Sequence, residues 1–510
     1  MLYNCVMRGK PYTKFFLLII LAVCLVYINS IKGAFVSDDI PGIVNNPTIR
    51  DVGSALETGN LIRVLDSLVY TAFGANPVPF HILSIVFHIT SAILGFIFLS
   101  GFLPKKTAML AVLIFAIHPI NTEAVSWIAG RVYLIMAIFA LSSLISYTKF
   151  LKGRDPKYYL TSFLIFAAGL LLTKYFQFLV VVPLIFATEF FLHEERFKFN
   201  FKKLAPYLPF VLLTAIFVFL NFGRVENRIE TTAIQTPPQN YLLASTYSVY
   251  KSTTLLIFPH RLSLYRDGAI ITQTRLAFMA TVTIAYVLTL AYYFSRDKKI
   301  FGLLLSITLG VLYIYSPKQV SWFVAGRYLY LSSLFYSALA AMVLLWIINK
   351  KREVGYFLAT TLVILLSART IVRNADWRTE KSLWLSVVRY YPLSARAYNN
   401  LGDVFAREED YQRSVQTFST AIKIDPTYFE AMHNLGLTYL TVGNLDEAER
   451  YFKLSLEYKP DLYQAYYQLA SIEYRRGNIE EAIDYLEKVL EIDPQNQRAK
   501  RDLILLTQSL

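Results

Sequence analysis

The chain has 510 residues, of which 55% are hydrophobic and 15% aromatic, and its mean hydropathy is +0.42. These values exceed those of soluble globular proteins and are typical of a polytopic membrane protein. The formal charge of +14 is uneven, because residues 1–373 carry an excess of 19 positive charges and residues 374–510 a net charge of −5. Membrane topology explains this basic excess better than nucleic-acid binding does. The two cysteines, Cys5 and Cys24, lie at or in the first hydrophobic segment, which excludes a disulfide framework in exported parts.

Eleven apolar segments predict membrane-spanning helices, although several are shorter than the roughly 20 residues of a straight span. They lie at about 15–31, 80–102, 107–120, 132–150, 158–173, 175–192, 204–222, 276–294, 300–316, 328–349 and 354–372. The first is interpreted as a retained signal anchor, because ten more segments follow it. Clusters of Lys and Arg occupy every second connection, so the positive-inside rule places the N-terminus in the cytoplasm and the C-terminal part outside.

The C-terminal part repeats with a period of 34 residues, as the pairs Asp425-Pro426, Lys459-Pro460 and Asp493-Pro494 show. Small residues and large apolar residues recur in the same register, for example at Gly402/Gly436/Ala470 and Phe418/Phe452/Leu486. This is the tetratricopeptide pattern of paired, stacked helices.

The predicted fold is therefore all-α. Residues 1–373 form a polytopic helical bundle of about 11 spans. Residues 374–393 form a connecting half-repeat helix, and residues 394–510 form three tetratricopeptide repeats and a capping helix.

The acidic pair Asp38-Asp39 follows the first hydrophobic segment, in a connection predicted to be external. Carboxylates close to a bilayer are costly and need a reason. One interpretation is that the pair caps a helix or forms a turn before Ile-Pro-Gly. The other is catalytic: one carboxylate acts as general base toward an acceptor hydroxyl, while the second orients it or holds a divalent cation.

A second external segment, HPINTEAVSWIAGR (118–131), contains His118, Glu123 and Arg131. Each has a structural interpretation, since a histidine beside proline often ends a helix and an acid favours a helix N-terminus. Together on one outer turn they form a candidate site, in which Glu123 contacts the acceptor or a loop.

The sequence SWIAGR (126–131) is echoed by SWFVAGR (321–327). Both are predicted to open a span at the outer face, where Trp, Gly and Arg can serve helix entry and packing. In the functional interpretation Arg131 and Arg327 bind an anionic phosphate, for which the planar guanidinium is suited. Lys174, between two spans, is a third candidate cation at this level.

The external segment 223–275 contains HRLSLYRD (260–267), where Arg266 and Asp267 are candidate loop or acceptor contacts, with headgroup contact as the alternative. No metal-ligand spacing, Walker loop or dinucleotide fingerprint occurs, and no cofactor is assigned. A donor used outside the cytosol would most simply arrive already attached to a lipid.

Four motifs, FVSDDIPGIVNNPTIRD, HPINTEAVSWIAGR, GRYLYLSS and NADWRTEKSLW, precede the repeats. In this order they resemble the transmembrane-and-tetratricopeptide-repeat O-mannosyltransferases and their bacterial relatives, within the GT-C superfamily. The resemblance implies a polyprenyl- or dolichyl-phosphate sugar as donor and an external-loop aspartate as catalyst, hence Asp38 and Asp39. It implies donor-phosphate binding by the set His118, Arg131, Lys174, Arg327 and Tyr328.

Two departures from the family are present. Gly326 stands where the family often has an acid, and the repeat array is short. With these two departures, the resemblance still predicts an inverting membrane glycosyltransferase, whose repeats present a helical surface to a protein or glycan acceptor. The alternatives are a non-enzymatic scaffold and an oligosaccharide ligase or polymerase that uses a diphosphate-linked donor.

The expected location is the bacterial inner membrane with a periplasmic repeat domain; the alternative is the endoplasmic reticulum membrane with a lumenal one.

Overall fold

The computed structural model describes residues 10–192, 201–221, 241–266, 273–311 and 324–509. It divides into two compact units: residues 1–264 with 271–379, and residues 265–270 with 380–510. The described residues of both units form helices and contain no β-strand. This agrees with the all-α prediction. The boundary falls between Thr379 and Glu380, a few residues after the end predicted for the membrane domain.

The first unit is built from fifteen α-helices within the described residues. They are α1 Lys10–Tyr27, α2 Val52–Glu57, α3 Leu61–Phe73, α4 Pro77–Leu99, α5 Lys105–Ile117, α6 Thr122–Val125, α7 Val132–Gly153, α8 Pro156–Thr173, α9 Val181–Leu192, α10 Leu208–Leu220, α11 Tyr241–Ile257, α12 Gln273–Arg296, α13 Lys298–Leu309, α14 Tyr330–Lys350 and α15 Arg352–Asp376.

Each of the eleven predicted spans corresponds to a helix. Seven helical segments in the described residues are long and apolar enough to cross a bilayer, and an eighth is a pair that bends by 48° after α5. Apolar helices at Phe176–Leu192 and Leu204–Leu220 are shorter, as is α13. Large apolar side chains remain exposed on the unit's outer helices, for example Phe357 at 69% and Leu288 at 63%. The chain is thus an integral membrane protein, because lipid is the solvent that suits such faces.

Small polar residues hold neighbouring spans together. Ser143 of α7 and Ser162 of α8 lie with their hydroxyls 3.0 Å apart. His88 of α4 contacts the hydroxyl of Tyr330 on α14 at 2.7 Å and the carbonyl of Ala116 on α5 at 3.0 Å. Such contacts let helix backbones approach closely where lipid supplies no hydrophobic driving force. The contacts of His88 hold α4, α5 and α14 together, next to the turn that follows α5 and the turn that precedes α14.

The second unit contains eight helices after residue 379. They are α16 Glu380–Tyr390, α17 Ala395–Arg407, α18 Tyr411–Ile424, α19 Phe429–Thr441, α20 Leu445–Tyr458, α21 Tyr463–Arg476, α22 Ile479–Ile492 and α23 Gln497–Ser509. Helix α16 covers most of the segment predicted as a half repeat. The remaining seven are three helix pairs and a final helix, as the period predicts.

The small and large positions of the repeat meet as expected. A Cβ added to Gly402 would lie 2.8 Å from the ring of Phe418, and one added to Gly436 would lie 2.8 Å from the ring of Phe452. Paired helices therefore cross where the first has no side chain and the second has an aromatic ring. Phe452 is fully buried in this contact.

We predict that Phe452→Ala opens the second repeat by leaving a cavity, at a cost of about 3–5 kcal/mol. Hydrogen exchange of the amides in α19 to α21, measured on the full chain, should accelerate accordingly. The matched control is Tyr458→Ala at the exposed end of the same helix, where the side chain is 45% exposed. Equal acceleration in both variants would contradict this account of the repeat core.

Candidate functional site

Asp38 and Asp39 lie in the connection between α1 and α2, in opposite environments. Asp39 is 1% exposed, whereas Asp38 is exposed. Ser37 before them adopts a left-handed φ of 53°. The amide of Val36 donates to Asp39 Oδ2 at 3.0 Å, and the amide of Ala129 donates to Asp39 Oδ1 at 2.7 Å. Asp39 does not cap the Ile40–Val44 turn that follows, so its side chain ties two distant segments together.

Burial raises the pKa of Asp39 to about 7, against the opposing effect of the two amide donors and of Arg131. Desolvation favours the neutral acid because a carboxylate loses its hydration in the interior. Asp39 has both oxygens occupied and almost no exposed surface. Asp38 is therefore the carboxylate of the pair that an external hydroxyl can reach.

Arg131 forms a buried ion pair that the sequence analysis missed. Its Nη2 donates to Asp66 Oδ1 on α3, and the two side chains are 2% and 5% exposed. The guanidinium also lies 5.3 Å from the ring centre of Phe80. Asp66 occurs at helical spacing between Ile62 and Val69. An acid within an apolar stripe was the available signal for this residue.

Arg327 is held in the same way by a carboxylate from another segment. Its Nη1 donates to Glu123 Oε1, and the amide of Gly326 donates to Glu123 Oε2 at 2.9 Å. The side chains of Arg327 and Glu123 are 8% and 4% exposed. Trp127 and Tyr328 place their ring centres 5.3 and 4.8 Å from the guanidinium carbon. Glu123 thus fixes Arg327. Of the two predicted roles, its burial fits contact with a loop and does not fit contact with an acceptor.

The two Ala-Gly-Arg turns close on Glu123 from different sides. A Cβ on Gly130 would lie 2.2 Å from the carbonyl oxygen of Glu123, and one on Gly326 would lie 2.7 Å from its Oε2. Neither contact leaves room for a side chain. An acid at position 326 would moreover repel Glu123 at this distance, so glycine there agrees with an acid at 123. Residues 321–323 of the second motif lie outside the described residues.

Trp127 joins the two groups of charges. Its Nε1 donates to the carbonyl of Val36 at 3.3 Å, beside the Asp38-Asp39 pair. Its ring contacts Arg327 and stacks on Trp377 with centres 5.6 Å apart. The next residue but one is Ala129, whose amide binds Asp39. The segment Ser126–Arg131 therefore connects the carboxylate loop with Arg327.

A small, partly open cavity lies beside Arg327 and Tyr328. Apolar residues such as Met136 and Val181 form much of its wall, and Tyr133 adds a phenol. Among the described residues that line the cavity, Arg327 is the one with a charged side chain. The cavity thus places one guanidinium beside apolar walls.

His118 and Lys174, also predicted to bind phosphate, have other partners. His118 Nδ1 accepts from the amide of Ile120 at 3.2 Å, so Nε2 carries the hydrogen and donates to Leu256 at 3.0 Å. Both ring nitrogens are occupied, and the ring links the turn to α11. Lys174 is exposed, and its Nζ donates to the carbonyl of Thr58 at 2.6 Å.

The remaining candidates lie elsewhere. Arg266 is 7% exposed and belongs to the second unit, while Asp267 lies outside the described residues. Asn374 was not predicted as a site residue. Its Oδ1 accepts from the hydroxyl of Ser126 at 2.8 Å, and its Nδ2 donates to the carbonyl of Val26 at 2.7 Å. No group of three or more metal-ligating side chains occurs in the part of the chain that the structure describes.

Comparisons with known proteins agree with this organisation. The model of the family described as dolichyl-phosphate-mannose-protein mannosyltransferase matches residues 61–222, and the tetratricopeptide-repeat model matches residues 393–461 and 427–495. The first match contains Asp66, Glu123 and Arg131 but not the Asp38-Asp39 pair or Arg327.

Two curated relatives cover most of this chain. Protein O-mannosyl-transferase F38B6.6 of Caenorhabditis elegans is 28% identical over 429 residues, which are 76% of this chain and 59% of that protein. Protein O-mannosyl-transferase TMTC3 of Mus musculus is 25% identical over 468 residues, 79% of this chain and 50% of that protein. The chain spans about half to three-fifths of the length of these relatives. Among solved structures, the first TPR of Spaghetti (RPAP3) bound to an HSP90 peptide is 21% identical, covers 23% of this chain and 94% of that one, and has a TM-score of 0.22.

The apolar helices and the repeats define a membrane-embedded helical protein with a tetratricopeptide-repeat domain. More particularly, the chain resembles the transmembrane-and-tetratricopeptide-repeat O-mannosyltransferases, and the relatives confirm that resemblance.

We predict that Asp66→Asn destabilises the first unit by about 3–5 kcal/mol, because it leaves Arg131 charged and unpaired in the interior. The double variant Asp66→Asn/Arg131→Gln should recover part of this loss. Unfolding of the purified chain in detergent measures both.

The matched control for that comparison is Asp155→Asn, which removes an exposed ion pair with Lys157 but retains a helix-capping side chain. Equal effects of the two single variants, or strict additivity in the double variant, would show that the Asp66–Arg131 pair is not coupled.

A second prediction concerns pH. Since the folded-state pKa of Asp39 is raised, its contribution to stability is complete below the unfolded pKa of about 4 and is lost as pH rises to about 7. The melting temperature of the wild type should therefore fall between about pH 4 and about pH 7. Asp39→Asn should make this fall smaller, whereas Asp38→Asn, at the exposed neighbour, should leave it unchanged. A wild-type slope in Asp39→Asn would refute the assignment.

Proposed function

We propose that this protein is a membrane glycosyltransferase that uses a polyprenyl- or dolichyl-phosphate sugar and transfers the sugar, with inversion, to a hydroxyl group at the outer membrane face. The observation that carries the proposal is the link between an exposed carboxylate and a cavity with one guanidinium. Asp38 lies beside the buried Asp39, and the segment Ser126–Arg131 connects Asp39 with Arg327 at the cavity.

The proposed reaction is an in-line displacement. Asp38 takes the proton of the acceptor hydroxyl, whose oxygen attacks the anomeric carbon opposite the phosphate. The bond between that carbon and the phosphate oxygen breaks, and both of its electrons leave with the lipid phosphate. Arg327 and the hydroxyl of Tyr328 stabilise this anion, and the apolar wall of the cavity holds the first part of the lipid chain.

Asp39 is assigned a supporting role. Its two oxygens bind the amides of Val36 and Ala129, which fixes the backbone from which Asp38 projects. Arg131 and Asp66 hold the same turn from its other end. This division assigns proton transfer to the exposed aspartate and positioning to the buried one.

The acceptor is proposed to be a protein or glycan hydroxyl, and the repeats are proposed to bind its carrier. Stacked helical repeats form extended surfaces that suit this role. The relatives are named as protein O-mannosyltransferases, so mannose is the sugar to test first. A divalent cation is added in a separate arm of the assay.

The test is transfer of labelled mannose from polyprenyl-phosphate mannose to acceptors in membranes that contain the protein. Asp38→Asn should lower the rate about 10²-fold or more, since general base catalysis contributes this much. The matched control is Glu57→Gln, an exposed carboxylate at the end of α2, which should retain activity. Full activity of Asp38→Asn, or equal loss in both variants, would overturn the catalytic assignment.

A further inference from the structure

Both motif arginines are neutralised inside the protein. Arg131 is paired with Asp66, and Arg327 is paired with Glu123. Neither carboxylate comes from the same segment as its arginine, and all four side chains are at most 8% exposed. The guanidinium at the cavity therefore approaches a ligand with most of its charge already compensated.

The position of Glu123 leaves it little freedom to move away. Oε1 accepts from Arg327 and Oε2 accepts from the amide of Gly326, so both oxygens are bound to the same turn. The space that a side chain at position 326 would take is filled by Oε2. Glu123 is thus a built-in counter-ion of Arg327, held beside it by two hydrogen bonds.

Compensation of this kind limits the charge that the cavity accepts. A lipid phosphodiester carries one negative charge, and a lipid diphosphate ester carries two. A second negative charge on the ligand is attracted by Arg327 and repelled by Glu123 at similar distances, so it adds little favourable electrostatic energy to binding. Removing that charge from water into an apolar cavity is costly. The other charged side chains of the described site do not line the cavity.

We propose that Glu123 is a specificity-determining residue that restricts the cavity at Arg327 to singly charged lipid phosphodiesters and excludes lipid diphosphates. This rests on the proposed function, because it assumes that the cavity binds the donor phosphate. It assigns Glu123 a role through Arg327, without direct contact with the sugar or the acceptor.

The test compares two synthetic lipids with the same polyprenyl chain and the same methyl cap. One is the monomethyl ester of the monophosphate, with one charge, and the other is the monomethyl ester of the diphosphate, with two. Their dissociation constants are measured on the purified full chain in detergent. The wild type should prefer the monophosphate ester, and Glu123→Gln should shift the ratio of constants toward the diphosphate ester by roughly tenfold.

The matched control is Asp376→Asn. It removes the carboxylate that accepts from Arg373 at 2.7 Å, another buried arginine of the same unit, and neither residue lines the cavity. The ratio should stay at its wild-type value. A shift equal to that of Glu123→Gln would show a general effect of lost charge and overturn the proposal.

Arg327→Gln separates this proposal from the proposed function. It should weaken binding of both lipids at least tenfold, because the phosphate loses its guanidinium. If it does so and Glu123→Gln leaves the ratio within twofold of wild type, the specificity role is wrong and the phosphate site stands. If Arg327→Gln has no effect, the phosphate site itself is wrong, and the specificity role with it.

A relocated charge provides a second variant should Glu123→Gln fail to fold. In Glu123→Ala/Gly326→Asp the truncated side chain frees the space beside position 326, and the new carboxylate lies next to Arg327. If Glu123 acts through its charge, this double variant restores the preference for the monophosphate ester. A preference for the diphosphate ester in the folded double variant would contradict the proposal.

Discussion

The site depends on the cost of burying charge in a protein surrounded by lipid. A guanidinium or carboxylate in the interior needs an opposite charge or several hydrogen bonds, since its desolvation is worth several kcal/mol. In the site Arg131 is paired with Asp66 and Arg327 with Glu123, each from a different segment of the chain. Asp39 accepts from the backbone amides of Val36 and Ala129. These pairings hold α3 and the external turns against one another, where non-directional apolar packing would not fix their register.

The segment Ser126–Arg131 is where these pairings converge. Within six residues it binds Asn374 through Ser126, contacts Arg327 through Trp127, binds Asp39 through Ala129 and ends in Arg131. Gly130 makes this compact arrangement possible, because a side chain there would overlap the carbonyl of Glu123. A short irregular turn is suited to this task, since its backbone groups are not consumed by helical hydrogen bonds.

Sequence patterns predicted the fold well and the pairing of charges poorly. A helix lies at each of the eleven segments that hydropathy predicted, and the 34-residue period located the repeats, because both signals are local. The partners of Arg131 and Arg327 are 65 and 204 residues away, and no local pattern encodes such a pairing. Asp66 was overlooked although its apolar surroundings mark it. Lys174 was predicted to be a third cation at the level of Arg131 and Arg327. In the structure it follows the last residue of α8 with a left-handed φ of 57°, is exposed, and donates to the carbonyl of Thr58.

Glu123 occupies the point where the two parts of the site meet. Its backbone lies against Gly130, in the turn that holds Asp39, and its carboxylate lies against Gly326, in the turn that carries Arg327. A displacement of either turn therefore changes the environment of the other through one residue. For an in-line displacement this matters, because attack and departure occur on opposite sides of one carbon atom and tolerate little misplacement. The proposed base and the proposed phosphate ligand are thus positioned by one buried framework, and the repeated Ala-Gly-Arg sequence is best understood as the two ends of that framework.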